Sequence, residues 1–436
     1  MSFSRAGGRP SGCGRSRLRR LLILAVAAAN LGLVGGAAGA GGSSGGAGVP
    51  PKSSPKPATR ASAPAHNPLS GRGMWIWELS ASNGGNLSSI IATARTYGLS
   101  TLMIKSGDGT SAWSQFNSTL VAELHAAGLK VCAWQYVYGA HPISEAYVGA
   151  AAVHAGADCL MIDAESEYQG RYIQAQDYIK RLRQLIGSRF PVALAGFPYI
   201  DYHPSFPYSV FLGPGGAQYN TPQMYWVDIG TSVDNVFAHT YDFNSVYERP
   251  IEPLGEVSGN PPPGQVFRFR QLSRTYDATG VSWWDWQENS TRDWWAIEHP
   301  IGNLTGITTD VSPPVLSPKD EGGIWAGDLV VWAQEHLVAA GDAVEIDGDF
   351  GPATQSAVEQ FQTAHGLPVT GLVDQPTWQA LLARKPVAVT WVKQRGQTIA
   401  VAARGGTLRL GVPWSARLPP RRYEIPRDLG AGRPPR

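Results

Sequence analysis

Eight short apolar runs recur at intervals of about 30 residues between residues 73 and 300, the length of one strand-plus-helix unit. They are "MWIWEL" from Met74, "STLMIKS" from Ser100, "KVCAWQY" from Lys130, "CLMID" from Cys159, "PVALAGF" from Pro191, "PQMYWVD" from Pro222, "PIEPLGE" from Pro250 and "GVSWWDWQ" from Gly280. Each closes on a polar or aromatic cluster, and the stretches between them carry helical periodicity. "NLSSIIATARTYG", "LVAELHAAG" and "AYVGAAAVHAG" all end on Gly, a helix stop signal. The pattern predicts an α/β chain built on a (β/α)₈ TIM-like barrel over residues 73–300. An open doubly wound sheet is the alternative, but it usually carries a Gly-rich phosphate loop after its first strand. Here that position reads "SASNGGN", without GxGxxG. The barrel should be distorted. "YHPSFPYSVFLGPGG" has too many Pro and Gly for a regular fifth helix, and Pro250 and Pro253 fall inside the seventh strand.

In such a barrel the loops at the C-terminal ends of the strands form the active face. Acids stand at nearly every one of these ends: Glu78, Asp108, Asp163 with Glu165, Asp201, Asp228, Glu256 and Asp285. Any one of them could be a solvated strand end. Converging carboxyls, however, raise one another's pKa and supply protonated and ionised forms together near neutrality. Ten of the 15 tryptophans also lie in the barrel segment, and because side chains alternate along a strand, about half can face a cleft. Acids beside flat aromatic platforms suit a carbohydrate. Glycoside hydrolysis needs two carboxyls flanking the scissile bond, and Asp163 and Glu165 share a strand face by their period-two spacing. Trp77, Gln135, Tyr225, Asp285, Trp286 and Gln287 are the candidate substrate contacts.

Asp163-Ala-Glu165, Glu78-Leu79-Ser80 at the first strand end and Trp286-Gln287 near the barrel's close resemble the motifs of family 25 glycoside hydrolases, the lysozyme-type muramidases. The resemblance implies Glu165 as general acid, with Asp163 or Glu78 as the partner carboxylate. The family opens its barrel with Asp-x-Ser, so Glu78 departs from it by one methylene.

A Pro-rich stretch, "VSPPVLSPKDEGG", leads into a segment with three short helical patterns over residues 323–384. Leu329, Trp332, Ala333 and Leu337 make the first apolar stripe, with Gly341 as its stop. Ala357, Val358 and Phe361 make the second, and Trp378, Leu381 and Leu382 the third, with Pro376 in its first turn. A small three-helix all-α domain is expected, near the lower size limit for independent folding. Its Asp347-Gly348-Asp349-Phe350-Gly351-Pro352, Thr354, Phe361-Gln362, Gly366-Leu367, Gly371 and Thr377-Trp378 resemble the type 1 peptidoglycan-binding domain over nearly its whole length. That resemblance implies peptidoglycan as ligand, through its stem peptide. A calcium loop at "EIDGDFG" is excluded because the acids do not continue through the 12-residue loop such a site needs.

The ends are compositionally distinct. Residues 1–40 place Arg15, Arg17, Arg19 and Arg20 before an apolar run and an "AGA" step, the order of a secretory signal peptide; an uncleaved anchor is the alternative. Residues 41–72 are Gly, Ser, Pro and Ala with almost nothing to bury and read as a disordered linker, and residues 301–322 as a second linker. Residues 385–436 read as a basic tail with short strands in "AVTWVKQ", "TIAVAA" and "TLRLGV". Residues 73–385 carry 16 Lys+Arg against 32 Asp+Glu, an acidic balance that argues against a nucleic-acid partner. Cys132 and Cys159 open adjacent strand patterns and could be a disulfide or two buried thiols. No Cys/His cluster has metal-ligand spacing, and no cofactor is expected. The expected protein is secreted or wall-associated, without a stable membrane span after signal cleavage. Its expected activity is peptidoglycan hydrolysis of the muramidase type, with peptidoglycan or another wall glycan as partner. The alternative is a non-catalytic wall-binding protein with a degenerate barrel.

Overall fold

The computed structural model describes residues 67–402. Their strands are β1 Gly71–Ile76, β2 Thr101–Asp108, β3 Ser111–Ala112, β4 Lys130–Val137, β5 Cys159–Ala164, β6 Val192–Ala195, β7 Tyr219–Asn220, β8 Leu254–Glu256 and β9 Gly280–Trp284. Apart from β3, which hairpins back onto β2, they pair in parallel in the order β7-β6-β5-β4-β2-β1-β9-β8. Single bridges Asn220↔Ile251 and Gln223↔Leu254 join the two ends of that path and close the ring. Helices α1 Leu87–Thr96, α2 Ser118–Ala126, α3 Pro142–His154, α4 Tyr172–Ile186, α5 Tyr208–Phe211, α6 Trp226–Ile229, α7 Val233–Asn244, α8 Pro263–Thr275 and α9 Thr291–Glu298 follow the strands. The chain thus forms a distorted (β/α)₈-type barrel.

Side-chain alternation sorts the strand residues into two layers. Trp75, Met103, Cys132, Trp134, Cys159, Met161 and Trp284 fill the barrel interior. Their neighbours Met74, Leu102, Val131, Ala133, Leu160, Ile162 and Trp283 pack outward against the helices. Trp75, Trp134 and Trp284 touch one another with ring centroids 5.5–6.2 Å apart and form the interior's aromatic centre. Cys132 and Cys159 are register partners on β4 and β5 and are joined as a disulfide.

Three expectations need correction here. The sixth strand is not Pro222–Asp228 but Tyr219–Asn220, with single bridges beyond it and Trp226–Ile229 helical. Pro222 has no N–H to give to the ladder, so regular pairing stops before it. The seventh strand is cut to Leu254–Glu256 for the same reason at Pro250 and Pro253. The barrel also begins earlier than residue 73: Asn67 donates to Glu252 and Thr279, and β1 starts at Gly71. The fifth unit does lack a regular helix, α5 being a single turn.

Beyond the barrel, α10 Asp328–Ala340, α11 Pro352–Ala364 and α12 Gln375–Leu382 form the helical module, and β10 Val389–Gln394 and β11 Gln397–Ala402 form a hairpin. The expected amphipathic first helix is instead buried continuously from Asp328 to Val338. Its apolar stripe meets the other module helices, and its remaining face meets the barrel. Trp332 Nε1 donates to the Val246 carbonyl at 2.8 Å. Asp328 accepts from Tyr172, Tyr247 and both the amide and hydroxyl of Ser209, all at 2.7–2.8 Å. Leu316, within the second linker, pairs with Ile324 and Val373. The hairpin lies on α4, where the Gln176 amide bonds both backbone groups of Trp391. The expected signal peptide, residues 41–66 of the first expected linker, and "TLRLGV" with the rest of the basic tail lie outside the described residues. Among the described residues no helix is long and apolar enough to cross a membrane.

Candidate active site

Strand β5 carries Cys159, Met161 and Asp163 on its inward side, so the apolar interior ends on a carboxyl. Glu165 follows at the entry to a 3₁₀ turn, Ser166–Tyr168. Both acids are only 2% exposed. Gln223 Nε2 bridges them, donating to Asp163 Oδ1 at 3.0 Å and Glu165 Oε1 at 3.2 Å. Burial, and then the neighbouring Glu165 charge, push the Asp163 carboxyl well above the usual carboxylate range, while Lys105 opposes the shift. Two buried carboxyls bridged by one amide disfavour double ionisation, and a proton bound there belongs to the pair rather than to either residue.

The surroundings add cation, phenols and further acids. Lys105, 4% exposed on the inward side of β2, pairs with Asp108 at 2.8 Å and sits 4.5 Å over Trp113 and 4.7 Å over Trp134. Such cation–π contacts hold an ammonium in place without neutralising it. Tyr138 donates to Asp108, and Tyr136 to Glu167. Tyr225 is buried beside the pair, and its hydroxyl is pushed up first by burial, then by Asp163, Glu165 and Glu256. Burial lifts Glu256 to about 8; one of its oxygens accepts from the Val227 amide, and Oε2 has no hydrogen-bond partner among the described residues. Asp285, just past β9, is lifted by burial to about 7 and accepts from the Glu288 amide at 3.1 Å. The barrel mouth therefore offers several carboxyls that stay protonated where exposed ones are ionised.

Of the residues predicted from sequence, Asp163, Glu165 and Tyr225 come together here, while Asp285 lies past the end of β9, which pairs with β1 and β8 rather than with β5. Trp77 is half-buried beside the interior cluster, its amide donating to Gln287 Oε1 at 3.1 Å. Gln287 therefore ties the end of β9 to the end of β1. Three assignments change. Glu78 is exposed, and its hydrogen bonds are accepted through its backbone carbonyl, so it does not join the buried pair. Gln135 faces the helices: it donates to the carbonyls of Gly109 and Glu145 and accepts from Tyr178. A Cβ on Gly149 of α3 would stand 2.7 Å from its Oε1, so that glycine lets the helix close over the amide. Trp286 is 4% exposed and packs edge-on against Trp294 with its indole N–H on Asn83, which makes it core.

The sequence reading missed Lys105, Gln223 and Glu167. Lys105 was within reach, since it lies two residues past the inward Met103. Gln223 was hidden by the broken sixth strand. Among the described residues no group of three or more His, Cys, Asp or Glu could hold a metal ion.

Comparison with known proteins adds one family. Residues 326–381 match the peptidoglycan binding domain family, so the helical module is a domain of that kind. A protein of Kitasatospora aureofaciens, described only as lying in the bpoA1 3′ region, is 40% identical over 72 residues, 16% of this chain. The chain spans 57% of that relative's length. Among solved structures, active domain 2 of a thermostable chitinase from Pyrococcus furiosus is similar at 12% identity and a TM-score of 0.42, covering 56% of this chain and 97% of that one. A spore cortex-lytic enzyme of Bacillus megaterium is similar at 11% identity and 0.36, over 52% and 73%. An endo-β-1,4-mannanase from Thermotoga petrophila is similar at 9% identity and 0.39, over 50% and 68%. Barrels of this architecture host many unrelated chemistries, so the function is argued from the site.

Proposed function

We propose that this chain is an exported glycoside hydrolase of the muramidase type that acts on peptidoglycan and is held on the wall by its helical module. The observation that carries the reading is the buried Asp163–Glu165 pair, bridged by Gln223 at the catalytic face of a barrel. The pair starts with one proton. Glu165 delivers it to the glycosidic oxygen as the bond to the anomeric carbon breaks, and the second negative charge is offset by the oxocarbenium character forming at that carbon. The Gln223 amide and Lys105 steady the doubly ionised pair. Water then adds at the anomeric carbon and returns a proton to the acids. Trp77 and Trp113, both half-buried around Lys105, take the platform role first given to Trp286.

The family match over residues 326–381 supports peptidoglycan as the polymer. A domain packed beside the barrel would keep the cleft at the wall surface and raise the local substrate concentration. Digestion of purified peptidoglycan, followed by mass analysis of the soluble products, tests the proposal. The expected products are muropeptides with N-acetylmuramic acid at their new reducing ends. N-acetylglucosamine ends would contradict the muramidase type, and retention on the wall without release would leave a wall-binding protein whose barrel holds glycan without turnover.

A further inference from the structure

Helix α6 starts from a residue that does not cap it. Tyr225 stands at the N-cap position before Trp226, Val227 and Asp228, and its side chain makes no cap hydrogen bond. The amides of the second and third helical residues are the ones an N-cap Ser, Thr, Asn or Asp ordinarily satisfies. Here the acceptor comes from the adjacent strand. One carboxyl oxygen of Glu256, the last residue of β8, accepts from the Val227 amide, and the Asp228 amide also faces that carboxyl. Tyrosine is not a residue whose side chain folds back onto those amides, so the borrowed acceptor leaves its ring free to project elsewhere.

The ring projects into the barrel mouth. Tyr225 belongs to the interior cluster with Ala195, Leu254 and Trp284. It lies two residues past Gln223, whose side chain bridges Asp163 and Glu165, and its own amide donates to the Gln223 carbonyl at 2.9 Å. Glu256 is anchored in turn on the sheet: its register partner on β9 is Trp284, and the Val257 amide donates to the Trp284 carbonyl at 2.7 Å. Glu256 is fully buried, and its second oxygen has no hydrogen-bond partner among the described residues. An orphaned buried oxygen is unfavourable, and local rules of this kind are broken chiefly where function needs the residue.

We infer that Glu256 is a positioning residue: by capping α6 in place of Tyr225, it fixes the tyrosine ring beside the Asp163–Glu165 pair. In the proposed glycoside hydrolysis, on which this role rests, the pair becomes doubly ionised as Glu165 gives up its proton. The Tyr225 phenol, kept protonated by burial and the neighbouring acids, then supplies an O–H toward that charge. Glu256 itself touches neither the substrate nor the reacting atoms.

Steady-state kinetics on soluble uncrosslinked peptidoglycan strands, with thermal unfolding of each variant alongside, test the inference. Tyr225→Phe should lower kcat about tenfold. Glu256→Leu offers no acceptor and should lower kcat by a similar factor, with KM within about twofold of wild type. Glu256→Met carries the same comparison if Glu256→Leu fails to fold. Glu256→Gln keeps an acceptor for the Val227 amide, and because burial lifts the wild-type carboxyl to about 8, it matches the neutral form at pH 6. It should hold kcat within about threefold of wild type. Glu256→Leu/Tyr225→Phe should be no slower than Tyr225→Phe alone, whereas independent effects would multiply to about a hundredfold. Multiplying effects, a Glu256→Gln as slow as Glu256→Leu, or a lowered unfolding temperature with kcat unchanged overturns the inference while the wild type stays active. A wild type that releases no muropeptides overturns the glycoside hydrolase reading and this role with it.

Discussion

Asp285 and Trp286 are adjacent in sequence and take opposite roles, which is where single residues decide the account. Asp285 is lifted from 3.8 to about 7 in the folded chain, chiefly by burial. A folded pKa above the unfolded one means the folded state binds more protons between the two values. The stability linked to Asp285 is therefore complete below about pH 4 and is lost as pH rises through about 7. In urea unfolding at pH 4.5 and 7.5, Asp285→Asn should narrow the fall in midpoint seen for the wild type; an unchanged fall would contradict the assignment. Trp286→Ala should cost about 3–5 kcal/mol of stability through the cavity left against Trp294. Chemical denaturation reads that loss, and affinity for soluble glycan fragments should hold in the folded fraction. The acid pair was legible in the sequence because it ends an apolar run with period-two spacing. Gln135 was misread because its neighbour Trp134 faces inward, and alternation then turns Gln135 outward to the helices.

The elements were legible in proportion to how regular their hydrogen bonding is. Strands β2, β4 and β5 follow uninterrupted apolar runs and pair over most of their length. Strands β7 and β8 are short because proline removes ladder donors, and the helix at Trp226–Ile229 occupies residues whose aromatic, β-branched composition reads as strand. The pairing of Cys132 with Cys159 followed from register, which a sequence without coordinates does not supply. The bridge closes a sequence separation of 27 residues, for which loop closure predicts about 3–4 kcal/mol of stabilisation. The Cys132→Ala/Cys159→Ala double variant should lose roughly that amount in denaturant unfolding. Addition of a reductant should lower the wild type by a similar amount and leave the variant unchanged.

At the scale of the whole molecule, α10 belongs to two packed layers at once, which its sequence hinted at only through Asp328 and Glu335 on a helix otherwise apolar enough to bury. Removing the acceptor in Asp328→Ala would strand the hydroxyls of Tyr172, Tyr247 and Ser209 in a dry interface, at a cost of about 3 kcal/mol or more. Limited proteolysis should then release the helical module from the variant and leave the wild type intact. Packing of this kind fixes the module beside the barrel, which in the proposed function would let binding and cleavage act on one stretch of polymer. The central claim is that the acid pair cuts that polymer. Release of soluble muropeptides from purified peptidoglycan should fall by about 10²-fold or more in Glu165→Gln, with wall binding and thermal unfolding retained. Release by Glu165→Gln at the wild-type rate would contradict the claim.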